Sequence, residues 1–207
     1  MYFTSGPLRA MERAMQQPPR YKKGGGLTVL KTPRRLQDMV FVGATPESNP
    51  QSYQALISRF LRELDAAELT TRINTIQKGN EGHDMLFKDA AHKRRFQYLR
   101  SQQAVSAAAS QPLMSALFLL SADDFLWKRG RGAIHAGRID FSAIDIRGIP
   151  TESYAVYQTA RDLYHGTRHI TLSDLTDPEV VDDRLLRLLI NSFLVRRHGL
   201  AALGVKQ

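Results

Sequence analysis

The amino-acid sequence predicts a mainly α-helical protein, an irregular helical bundle preceded by an extended basic N-terminal arm with at most a short β-ribbon. Three observations lead there. Apolar residues recur at three- and four-residue spacing from Tyr53 to Leu194. Asn, Asp or Ser stand ahead of several of these stripes, and glycine follows two of them, where helices start and stop. Charge is also divided unevenly. The first 36 residues carry Arg9, Arg13, Arg20, Lys22, Lys23, Lys31, Arg34 and Arg35 against the single acid Glu12, a net +7 of the chain's +9. Residues 1–48 therefore read as the arm and 49–204 as the helical body.

Within the arm, Pro7, Pro18 and Pro19 interrupt the chain and Gly24-Gly25-Gly26 closes its first part. Leu8, Met11 and Met15 fall at i, i+3 and i+7, two helical turns bounded by prolines. A helix this short is marginal alone, so it reads as a peptide that folds on a partner. Residues 27–31 and 38–42 are β-branched or apolar runs that would pair as a ribbon.

The body is expected to begin at Asn49-Pro50, with Asn49 capping and Pro50 in the first turn. Tyr53, Leu56, Ile57, Phe60, Leu61 and Leu64 then mark one amphipathic helix, and Leu69, Ile73 and Ile76 a second, ended by Gly79-Asn80-Glu81-Gly82. Asp89 is placed to cap a third, with Phe96 and Leu99 inward and Lys93, Arg94 and Arg95 outward. Ser110 and Pro112 open an apolar helix through Leu113, Leu117, Leu119 and Leu120. Residues 128–150 are punctuated by glycine, with a helical turn at 141–146 capped by Asp140. Tyr154, Tyr157, Ala160, Leu163 and Tyr164 mark a helix closed by Gly166. The last helix starts at Asp182-Asp183 and carries Leu185, Leu186, Leu189, Ile190, Phe193 and Leu194 as its core stripe. Arg196-Arg197-His198 and then Gly199 are its expected end, with charges that complement the helix dipole.

Composition narrows the chemistry. The chain of 207 residues has no cysteine, which excludes disulfides, thiolate nucleophiles and iron–sulfur clusters. No apolar run approaches the roughly 20 residues of a membrane span. The N-terminus has no apolar signal core, and its prolines and triple glycine argue against an organellar transit peptide. The expected location is the cytoplasm or a phage particle.

No motif commits the chain to catalysis. His165 and His169 have the spacing of two metal ligands on one helical face, but Gly166 between them is a helix stop, so surface or capping roles are expected. Asp123-Asp124 reads as the cap of a short helix rather than an acid–base pair. Arg161 and His165 resemble the Arg and His pairing of some helical ribonucleases only in residue type; Arg161-Asp162 reads as a solvated face. No cofactor, metal ligand or catalytic residue is assigned. Two basic clusters in the body remain as binding candidates: Lys93, Arg94 and Arg95 beside His92, and Lys128, Arg129 and Arg131 in an arginine–glycine segment. Together with the eight arm cations they have the composition of a phosphate-facing surface.

Four strings carry a resemblance: His83…Phe87…His92-Lys93-Arg94-Arg95-Phe96, Ser115-Ala116-Leu117-Phe118-Leu119-Leu120, Ile139-Asp140-Phe141, and Ala160-Arg161-Asp162-Leu163-Tyr164-His165-Gly166. Over residues 83–198 the chain resembles a family of small helical proteins from Gram-positive bacteria and their phages and conjugative elements. That family has no established activity, so the resemblance implies a setting and no site residues. The resulting expectation is a non-enzymatic binding or structural protein of a phage or mobile element, whose arm engages neighbouring subunits or a polyanion. The alternatives are a nucleic-acid-binding accessory protein and a helical nuclease. Protein subunits of an assembly are the first expected partner, nucleic acid the second, and no membrane is expected.

Overall fold

A computed structural model describes residues 52–63, 66–78, 86–104 and 110–203. The arm, the 27–31 and 38–42 segments, Asn49, Pro50, Leu64 and the 79–82 break lie outside the described residues. The described part is mainly helical: α1 (Tyr53–Glu63), α2 (Ala67–Lys78), α3 (Ala90–Ser101), α4 (Gln111–Ala122), α5 (Asp124–Gly130), α6 (Thr151–His165), α7 (Leu172–Thr176) and α8 (Asp183–Ala202). No helix among these residues is long and apolar enough to cross a membrane.

The architecture follows from α4. Every residue from Leu113 to Ala122 is buried. A helix apolar all round must be covered all round, and α3, α6 and α8 pack against it. Its serines cause no conflict, because Ser115 Oγ donates to the Pro112 carbonyl and Ser121 Oγ to that of Phe118. The amphipathic helices present their expected stripes: Leu56, Ile57, Phe60 and Leu61 on α1, Leu69 and Ile73 on α2, Phe96 and Leu99 on α3, and all six predicted positions on α8 are buried.

Caps explain most of the starts. Asp89, Asp123 and Asp182 each accept an amide three residues on, from His92, Leu126 and Leu185, at 2.7, 2.8 and 2.7 Å. Ser52, not the expected Asn49, caps α1 by accepting from the Ala55 amide at 3.2 Å, so the helix begins at Tyr53 rather than at Pro50. Gly166 ends α6 at φ 75°, where its amide donates to the Asp162 carbonyl. Asp140 caps a 3-10 turn at Phe141–Ala143, shorter than the expected 141–146 helix.

Two features depart from the sequence reading, a short ribbon and a short helix. A two-stranded antiparallel ribbon lies at Ile134–His135 and Arg138–Ile139, within the stretch read as irregular. Its two-residue turn ends on Gly137 at φ 86°, a conformation that glycine adopts without strain. In the arginine–glycine segment, Lys128 and Arg129 form the last turn of α5, and Arg131 and Gly132 lie exposed in a 3-10 turn at Arg131–Ala133. Helix α7 was not foreseen, although Thr171 and Asp174 form a reciprocal capping box. Gly199 breaks α8 where the sequence expects, with a non-helical backbone. The chain kinks there at φ 77°, ψ 170° and continues to Ala202.

Burial also corrects three charge assignments. His92, grouped by sequence with a basic ridge, is fully buried. Arg197 and His198, read as terminal charges, are also buried, and Arg197 pairs with Glu63 of α1. Asp162, read as solvated, is buried at the end of α6.

Candidate nucleic-acid interface

Helix α3 turns His92, Phe96 and Leu99 inward, so the 3.6-residue repeat carries Arg95 and Tyr98 along the edge of that buried face. On α5, burial of Leu126 and Gly130 likewise sets Asp124 and Trp127 to the side, at i and i+3, with Arg131 four residues further. The two edges meet. Arg95 forms a charge-assisted hydrogen bond to Asp124. Its guanidinium lies 5.6 Å from the centroid of the Trp127 ring. Tyr98 stands edge-on to Trp127, with centroids 6.1 Å apart and planes at 80°. Arg95 holds the Asp124 carboxyl below the usual carboxylate range, first by the hydrogen bond and then by its charge.

This arrangement orients Arg95 and leaves the Tyr98 ring in solvent. Tyr98 is 56 % exposed, a large value for an aromatic side chain. Arg94, Lys128 and Arg131 are exposed and make no ion pair among the described residues. Cations around an accessible ring can hold phosphates while a base stacks on the ring. Neither Tyr98 nor the meeting of Arg95 with Trp127 was read from sequence. The signal was present as an aromatic three residues after Arg95, but the partner helix lies about 30 positions downstream.

The predicted site residues therefore separate. Arg94, Arg95, Lys128 and Arg131 belong to α3, α5 and the turn that follows. Lys93 lies on another side of α3, its ammonium 5.6 Å from the Phe87 ring centroid. Arg129 is a clamp within the fold: it donates to the carbonyls of Asp145 and Arg147 at 3.1 and 2.8 Å and stacks 4.3 Å from the Phe125 centroid. Beside it, hydrogen bonds from Arg147 pull the Asp145 carboxyl down to about 2. Arg9, Arg13, Arg20, Lys22, Lys23, Lys31, Arg34 and Arg35 lie outside the described residues.

The candidates for chemistry have structural work instead. Asp123 spends one oxygen on its cap and the other on the Ser153 hydroxyl at 2.8 Å. Asp162 accepts four hydrogen bonds, from the Thr167 hydroxyl, the His169 ring and the amides of His169 and Ile170, at 2.6–3.0 Å. That carboxylate fastens the chain after α6 and commits Nδ1 of His169. His165 packs on Phe141 and Tyr164. No group of three or more metal-ligating side chains is gathered among the described residues.

No family model, no curated protein and no solved structure matches this chain.

Proposed function

We propose that this is a non-enzymatic binding protein whose α3–α5 face, together with the basic arm, engages single-stranded nucleic acid. The observation that supports it is the exposed Tyr98 ring beside an oriented Arg95, with Arg94, Lys128 and Arg131 in solvent. Base stacking on an aromatic contributes about 1–3 kcal/mol and tolerates any sequence. The arm's net +7 supplies the long-range attraction. A phage or mobile-element setting rests on the family resemblance, and there a protein of this kind would coat or hand on a single strand.

The test is fluorescence anisotropy of a labelled oligonucleotide with the full chain across a salt series. Affinity should fall steeply with salt, because each phosphate contact releases counterions. Tyr98→Ala should weaken binding by roughly tenfold at fixed salt. Removing residues 2–36 should leave the body folded and flatten the salt slope. Unchanged affinity in Tyr98→Ala would refute the face. The same arm charge also suits an acidic protein surface. Light scattering that shows arm-dependent self-association without nucleic-acid binding would favour the assembly reading.

A further inference from the structure

A cleft of about 490 Å3 opens between the C-terminal end of α2, the segment before α3 and the first turns of α8. Its volume lies within the range of small-molecule sites. Among its lining residues are three cations, Lys88, Arg184 and Arg187, and two acids, Asp89 and Asp183. The acids are engaged elsewhere. Asp183 accepts from Arg72 at 2.8 Å, and Asp89 caps α3 through the His92 amide. The three cations have no carboxylate partner among the described residues. Arg184 and Arg187 are three apart on α8, so both guanidinium groups project from one side of the helix. Ile76 of α2 and Leu188 of α8 add apolar wall to the same cleft.

We infer that this cleft binds a nucleoside phosphate, with the phosphates on Lys88, Arg184 and Arg187 and the nucleoside against Ile76 and Leu188. Unpartnered cations around a concave space select an anion. Paired arginines present planar forks that match phosphate oxygens better than a lone ammonium does. A cleft of this size with an apolar wall has room for more than inorganic phosphate. The inference does not rest on the nucleic-acid reading, although Lys88 also acts electrostatically on Asp124 of the α3–α5 face.

Isothermal titration calorimetry of the full chain with ATP tests it. Binding at one site per chain is expected, weakened roughly tenfold or more by Arg184→Gln with Arg187→Gln and unchanged by Arg94→Gln with Lys128→Gln. Inorganic tripolyphosphate should bind several-fold more weakly than ATP. Arg187 is half-buried, so circular dichroism should accompany the double variant. If that variant melts early, the exposed pair Lys88→Gln with Arg184→Gln carries the same expectation. No ATP binding by the folded wild type would overturn the inference. So would full affinity in the cleft variants, or tripolyphosphate binding as tightly as ATP. Oligonucleotide binding by the α3–α5 face is read separately, in Tyr98→Ala.

Discussion

Acid should unfold this protein partly through one residue, His92. Its ring is buried against Phe87 and Phe118, with centroids 5.2 and 4.5 Å away. Nε2 lies 2.9 Å from the Phe118 carbonyl, which requires a proton on Nε2, and Nδ1 accepts the Lys88 amide at 3.1 Å. Both partners suit the neutral ring. A second proton would sit on Nδ1 and face an N–H donor in an apolar setting. Burial accordingly lowers the His92 pKa from 6.5 to about 4, against the smaller opposing effects of the Phe118 carbonyl and Asp89. The folded value lies below the unfolded one, so the unfolded chain takes up the proton first. The stabilisation is full above pH 6.5 and is lost as pH falls towards 4. The loss amounts to about 2 kcal/mol between pH 7 and 5 and about 3 kcal/mol by pH 4. Urea unfolding of the wild type and of His92→Phe at pH 7, 5 and 4 isolates this share, because the acidic groups are common to both proteins. The variant is destabilised at pH 7, since the Lys88 amide loses its acceptor, but the gap should close by about 3 kcal/mol at pH 4. Parallel pH profiles would refute the assignment of a neutral buried imidazole.

Other substitutions test the fold directly. Asp162→Ala removes the acceptor of four hydrogen bonds, two of them from backbone amides, and should cost about 3 kcal/mol in thermal unfolding. Arg129→Ala frees the 145–147 loop and should cost about 1 kcal/mol, while oligonucleotide affinity at fixed salt stays within twofold, because that guanidinium is held by the Asp145 and Arg147 carbonyls. Gly199→Ala places a Cβ at φ 77° and should lower stability by about 1–2 kcal/mol even though the added atom meets only ordinary contacts, nearest Gln111 at 3.5 Å.

The helices were legible because their signals are local. The α8 stripe, the Asp89, Asp123 and Asp182 caps and the Gly166 stop each need only four or five neighbouring residues, and each stands where the spacing predicts. The Ile134–Ile139 ribbon was missed because its two strands have two residues each, too few for alternation to show. Helix α7 was missed for a related reason. At five residues it has no apolar period, and its capping box was its only signal. At the end of α8 the break at Gly199 was legible, but the burial of Arg197 and His198 was not. The pairing of Arg197 with Glu63, 134 positions away, is invisible from the local pattern.

The candidate site was legible only as composition, and the reason is physical. A cation has no periodic requirement of its own; its role is set by what the fold places opposite it. Arg72, Arg95, Arg129 and Arg197 are all arginines within a few residues of other charges, yet each does something different. Arg72 gathers the carbonyls of Leu175 and Val181 with Asp183, joining α2 to α7 and the start of α8. Arg129 fastens a loop, Arg197 balances a buried interhelical contact, and Arg95 is oriented towards Trp127 at the surface. All four are engaged within the fold, and of these Arg95, paired with Asp124, is the one that also stands beside an exposed ring. Density of basic residues therefore ranks the clusters wrongly: the buried His92 inflated one and the clamped Arg129 the other. What separates a binding cation from a structural one is whether carbonyls or carboxylates already fill its donors. By that measure Arg94, Lys128 and Arg131, and Lys88, Arg184 and Arg187 in the cleft, are among the described side chains that retain free donors.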